Sequence, residues 1–156
     1  GEGRHVKRVT KIDANTGIVL TNGVFDILHK GHIELLKFSK MQGTKLIVAI
    51  DSDRRVKELK GNDRPINNQE DRRRILETNR YVDEVVIFDS VEELQGFYDT
   101  LSPNVIVKGS EWTADEVRER DNIPENVQIK VYPLVGDYST TNTMHKIRDM
   151  ETCEKI

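Results

Sequence analysis

Five short β-branched or aliphatic runs recur along the chain: Ile18 to Leu20, Leu46 to Ile50, Glu84 to Phe88, Val105 to Val107 and Ile129 to Tyr132. Between them lie stretches with helical spacing, Gly31 to Gln42, Asn68 to Asn79, Val91 to Leu101 and Thr113 to Arg120. A further helix is expected at Thr140 to Met150, and a shorter one at Ser52 to Lys60. Short continuous apolar runs suit strands buried on both faces, and the helices between them suit the crossovers of a parallel sheet. The pattern predicts a doubly wound α/β domain with five parallel strands. Such sheets bind ligands beyond the carboxyl ends of their strands, so residues that carry chemistry are expected just after strands.

At 156 residues the chain is the size of one domain. The most loop-like stretch, Gly61 to Asn68, is too short to divide it. We expect an N-terminal extension over 1–16, one domain over 17–150 and a tail over 151–156. Charged residues make up 33% and AVILMFWYC only 36%, which describes a heavily ionised surface around a modest core. No apolar run approaches the ~20 residues that span a bilayer, and no apolar segment follows the polar, basic N-terminus. A cytoplasmic protein without membrane contact is therefore expected. The lone Cys153 fits a reducing compartment and argues against a cysteine metal site.

Charge is unevenly spread. From Arg54 to Arg80, nine Lys/Arg stand against five acids, giving +4 and leaving −7 to the rest of a chain with net charge −3. Such an island reads either as a solvated helix face or as an anion site. Nucleic acid is disfavoured, because no aromatic residue interleaves with the basic ones before Tyr81.

The first strand is followed by Thr21-Asn22-Gly23-Val24-Phe25-Asp26-Ile27-Leu28-His29-Lys30-Gly31-His32. Spacing of i, i+3 puts both imidazoles on one helix face, and Gly31 removes a Cβ where an anion could approach the backbone. A helix N-terminus offers unpaired N–H groups and the positive end of a dipole, so His29, Gly31 and His32 read as a phosphate cradle. Two other readings stay open from spacing alone: plain helix capping and a zinc pair, the latter lacking a third ligand. Neither a Walker P-loop nor a GxGxxG is present, which disfavours P-loop kinases and dinucleotide dehydrogenases.

NGVFDILHKGH resembles the signature of the cytidylyltransferase-like nucleotidylyltransferases, in which HxGH marks the nucleotide site of a Rossmann-like fold. Leu59-Lys60-Gly61, Arg64-Pro65-Ile66-Asn67 and Glu70-Asp71-Arg72 resemble, in order, segments of the adenylyltransferase domain of ADP-heptose synthases. Tyr81 to Val86, Pro103 to Gly109 and Ser139-Thr140-Thr141 continue the likeness, which spans Gly17 to Arg148. Lys108-Gly109-Ser110-Glu111-Trp112 departs from the family's KGGDY or GDDW but keeps a glycine, an acid and an aromatic in order.

The resemblance implies transfer of a nucleoside monophosphate from a nucleoside triphosphate to a sugar or polyol phosphate, with release of pyrophosphate. It implies catalytic roles for His29, His32 and Lys60. Asn22, Gly23, Phe25, Gly31, Arg80, Gly109, Ser139, Thr140 and Thr141 are implied to bind nucleotide, and Asp26 and Trp112 the acceptor. Read as residues alone, Ser139 to Thr141 also suit N-capping, and Lys60 and Arg80 also suit a solvated surface. Magnesium is expected to arrive on the triphosphate rather than on dedicated protein ligands. A homodimer is expected because the family is commonly dimeric and two-fold dimers are the commonest oligomers.

The nucleotide is the finest distinction. LKG, RPIN, EDR and VKG favour ATP with an acceptor like heptose 1-phosphate. Ile75 to Thr78, Arg80 to Val85 and Trp112 resemble instead the CTP-dependent glycerol-3-phosphate cytidylyltransferases. In those enzymes an arginine precedes the STT, and here Leu134 occupies its place. Leucine cannot replace a guanidinium's fork of donors, so the comparison favours ATP.

Overall fold

The computed structural model describes residues 17–109 and 112–133. Its five strands are β1 (Ile18–Gly23), β2 (Lys45–Asp51), β3 (Glu84–Phe88), β4 (Val105–Gly109) and β5 (Gln128–Tyr132). The helices are α1 (Lys30–Lys40), α2 (Asp53–Lys60), α3 (Gln69–Glu77), α4 (Val91–Thr100) and α5 (Ala114–Asp121). All strand pairs are parallel, in the order β3-β2-β1-β4-β5. This is the doubly wound parallel sheet that the sequence pattern predicts and the Rossmann-like fold that the resemblance implies. The expected helix over Thr140–Met150, and with it Ser139, Thr140 and Thr141, lies outside the described residues.

Successive side chains on a strand point to opposite faces, so each strand feeds two cores. On one face Val19, Leu46, Val48, Ile50, Val105 and Val107 pack with Leu35 and Leu36 of α1 and Leu76 of α3. On the other, Leu20, Ile47, Ala49, Ile106 and Ile129 pack with Leu94 and Tyr98 of α4 and Val117 of α5. Helix starts are set locally. Ser52, Asn68, Ser90 and Thr113 each accept a backbone N–H from the first turn of α2, α3, α4 and α5. Among the described residues no helix is long and apolar enough to cross a membrane.

Several strands run further toward their carboxyl ends than apolar patterning suggests. β1 continues through Thr21, Asn22 and Gly23, because its register with β2 persists from Ile18↔Lys45 to Gly23↔Ile50. The Thr21 hydroxyl adds a buried hydrogen bond of 2.9 Å to the Val107 carbonyl. Polar residues that read as loop are thus held on the rigid sheet, at the end where α/β ligands bind.

Candidate nucleotide site

The site grows from the end of β1. Beyond Gly23 the chain turns through Phe25, whose φ of 51° is a left-handed conformation rarely adopted by a residue with a side chain. The Phe25 ring is buried in the core and lies 5.2 Å, centroid to centroid, from His32. It is therefore a floor beneath the histidines. A Cβ added at Gly23 would stand 3.0 Å from that ring, so glycine lets the turn close.

Asp26 holds this turn against a second loop. Its carboxylate accepts from the backbone N–H of Ile66 at 2.7 Å and of Asn67 at 2.8 Å, while Asn67 Nδ2 donates to the Asp26 carbonyl at 2.8 Å. The side chain is 3% exposed. Each Asp26 oxygen is engaged by an amide of the loop, so Asp26 anchors the turn to residues 61–68. Arg72 of α3 completes the frame. Fully buried, it donates to the carbonyls of Asn67, Val24 and Asp51 and to the Asp53 carboxylate, at 2.8 to 3.0 Å. One guanidinium thereby ties the HxGH turn, the end of β2, the start of α2 and the 61–68 loop together.

The two histidines cap α1 and are oriented by doing so. His29 is the N-cap, and its Nδ1 accepts from Gly31 N–H at 3.1 Å. His32 Nδ1 accepts from His29 N–H at 3.3 Å. The rings stack with centroids 3.9 Å apart and planes 29° from parallel. A nitrogen that accepts a hydrogen bond carries no proton, so both rings are placed in the tautomer protonated on Nε2. Burial lowers the pKa of His29. Burial, then the charges of His29 and Lys60, lower that of His32 to about 4. At neutral pH each is an uncharged ring with an Nε2–H donor at a helix N-terminus, a region favourable to anions. Capping and phosphate binding are not alternatives here, because they use opposite nitrogens of the same ring. The Gly31 N–H is engaged by His29 Nδ1.

Lys60 closes α2, in line with the short helix expected over Ser52 to Lys60, and Gly61 follows at φ 108°. It is exposed, forms no ion pair among the described residues, and is near enough to His32 to depress its pKa. Much of the basic island is neutralised: Arg54 pairs with Asp89 and Glu58, Arg55 with Asp51, and Arg73 with Glu70 and Glu77. The segment is mainly an ion-paired helical surface, with Lys60 an exception at the site. Arg80 is not brought to this end within the chain. It precedes β3 at the amino edge of the sheet, where neighbouring Asp83 bonds the start of β2, and its guanidinium lies 5.5 Å over the Tyr81 ring.

Across the sheet, Gly109 ends β4, and Trp112 follows it at 46% exposure with Arg120 stacked 4.4 Å over its ring. Beside Gly109, Lys108 is buried and donates to Asn22 Oδ1 at 2.5 Å, with Asp121 Oδ2 at 3.1 Å. Apolar and helical patterning alone does not reveal the roles of Lys108 and Arg72. Their signal was a cation at a core position: Lys108 ends the apolar run Val105–Val107, and Arg72 lies one helical turn before the buried Leu76.

A parallel sheet with a capped HxGH turn beyond the carboxyl end of its central strand places the chain in the Rossmann-like α/β class. A family model described as cytidylyltransferase-like matches residues 20–155, and the chain belongs to that family. It is 44% identical over 131 residues to the bifunctional protein HldE of Campylobacter fetus and 42% identical over 130 residues to that of Koribacter versatilis. These alignments cover 84% and 83% of this chain but 28% and 26% of the relatives, so the chain spans less than a third of their length. Among solved structures it is similar to a lipopolysaccharide core biosynthesis protein of Thermoplasma volcanium, with a TM-score of 0.59 and 26% identity over 76% of this chain and 95% of that one. Pantothenate synthetase of Thermus thermophilus shares the fold, with a TM-score of 0.54 at 14% identity over 81% of this chain and 60% of that one.

Proposed function

We propose that the chain is an adenylyltransferase acting on a sugar phosphate of the heptose 1-phosphate type, releasing pyrophosphate from ATP. The observation that carries the reaction class is the His29–His32 turn, with two neutral imidazoles protonated on Nε2 at the start of α1. The attacking phosphate of the acceptor has its second pKa near 6 and is largely dianionic at neutral pH, so it needs no general base. What the reaction needs is alignment and stabilisation of charge as the bond between the α-phosphorus and the bridging oxygen of pyrophosphate breaks. Donors already fixed by capping meet that need without reorganising. Lys60 adds a point charge from the facing helix end.

Magnesium would enter on the triphosphate. The carboxylates nearest the turn are already engaged, Asp26 by amides, Asp51 by Arg55 and Asp53 by Arg72, which fits a cation carried by substrate. The HldE relatives and Leu134 support ATP over CTP, and similarity to a lipopolysaccharide core biosynthesis protein is consistent with an acceptor of saccharide type. We propose a homodimer as well, and sedimentation equilibrium giving an 18.0 kDa monomer at micromolar concentration would refute it.

Pyrophosphate release with ATP and with CTP, each with magnesium and sugar phosphates, tests the reading. Faster release with ATP is expected. Preference for CTP overturns the nucleotide, and no release with either overturns the reaction class. His32→Ala should lower kcat by roughly 10²- to 10³-fold with a small change in KM, the pattern of a donor used in the transition state.

A further inference from the structure

In the strand order, β1 and β4 are neighbours whose chains depart to opposite faces, β1 toward α1 and β4 toward α5. A crevice opens at such a switch point. The ladder between them runs from Val19↔Val105 to Thr21↔Val107, and the next residues along are Asn22 and Lys108. Where backbone pairing stops, a side-chain bond takes over: Lys108 Nζ donates to Asn22 Oδ1 at 2.5 Å. The ammonium is also 3.1 Å from Asp121 Oδ2 at the end of α5, and Lys108 is 8% exposed. Burial lowers its pKa, an effect that the neighbouring Asp121 carboxylate only partly offsets.

A carboxamide has two edges of the same shape and opposite chemistry. At the mouth of a crevice, an unconstrained asparagine presents either one. An ammonium has only donors, so it accepts the oxygen edge of Asn22 and rejects the NH2 edge. The flipped amide would leave a buried cation facing another donor, at a loss far larger than one ordinary hydrogen bond. The NH2 of Asn22 makes no hydrogen bond among the described residues. We propose that Lys108 is a positioning residue that locks Asn22 as a donor-only contact for a phosphate or ribose oxygen of the nucleoside triphosphate. The inference rests on the nucleotidyltransferase reading and adds to it a residue that acts through Asn22.

Calorimetric titration with ATP, with adenosine and pyrophosphate release alongside, provides the test. Lys108→Met should raise Kd and KM for ATP about three- to tenfold, the effect of one oriented hydrogen bond, with less change in kcat. Lys108→Arg keeps the donors and should restore affinity to within about twofold of wild type. Asn22→Asp keeps the bond to Lys108 but offers an acceptor in place of the donor. It should weaken ATP binding at least about tenfold without lowering Tm, which separates orientation from folding. In Lys108→Met/Asn22→Ala the two losses should not add. A loss confined to ATP assigns the contact to phosphate, and a loss shared by adenosine assigns it to ribose. Wild-type affinity in Asn22→Asp, or additive losses in the double variant, overturns the proposal. Wild-type protein that neither binds ATP or CTP nor releases pyrophosphate overturns the underlying reading as well.

Discussion

Substituting Gln for His32 removes one titrating ring from the start of α1, and the structure sets what this does to stability against pH. Burial, followed by the charges of His29 and Lys60, lowers the His32 pKa from 6.5 to about 4. The unfolded chain therefore binds a proton below pH 6.5 that the folded chain refuses until about pH 4. Across that window the unfolded state holds more protons, so this residue makes stability fall as pH is lowered and recover as it rises. Between pH 7 and pH 5 the full shift corresponds to a ceiling of about 2 kcal/mol. Because the ring is partly open to solvent, screening reduces the expected difference to about 1 kcal/mol. Urea denaturation of wild type and His32→Gln at pH 7, 6 and 5 measures it, since carboxylates common to both proteins cancel in the comparison. Wild type should lose about 1 kcal/mol more than the variant on going to pH 5. Parallel pH profiles would show that the ring titrates as it does in the unfolded chain and that burial does not lower its pKa.

Other perturbations probe the frame and the facing charge. Asp26→Asn offers one acceptor where two amides converge, leaving one N–H opposed by an NH2; urea denaturation should show a loss of about 1 to 3 kcal/mol. In the same variant, faster amide hydrogen exchange is expected at Ile66 and Asn67, and unchanged exchange would dissociate the loop from Asp26. Arg72→Met strands the Asp53 carboxylate and three carbonyls, so a loss of about 3 to 5 kcal/mol is expected, and a near-neutral effect would deny Arg72 its linking role. Lys60→Ala should raise KM for the triphosphate and flatten the salt dependence of kcat/KM, as removal of a point charge on phosphate requires. Unchanged KM and salt response would return Lys60 to the solvent.

Local rules account for what was legible in the sequence. Strand cores such as Leu46–Ile50 and Val105–Val107 announce themselves by composition. Helix starts at Ser52, Asn68, Ser90 and Thr113 are set by bonds within three residues. The HxGH turn is equally local: both hydrogen bonds that select its tautomers span three residues or fewer. Its two histidines could therefore be read from spacing, though not the burial that keeps them neutral. Long-range contacts decided the rest. The anchoring role of Asp26 arises from amides 40 and 41 positions later in the chain. Arg80 follows a helix that carries it to the far edge of the sheet, whereas Arg72, eight residues earlier, stays under the turn. Lys108 and Asn22 meet across 86 residues because parallel register aligns β1 with β4. A sequence displays hydrophobic period and capping chemistry directly, since both act over a few residues. Which polar groups satisfy one another inside the fold depends on chain crossovers, and only the assembled sheet determines those partners.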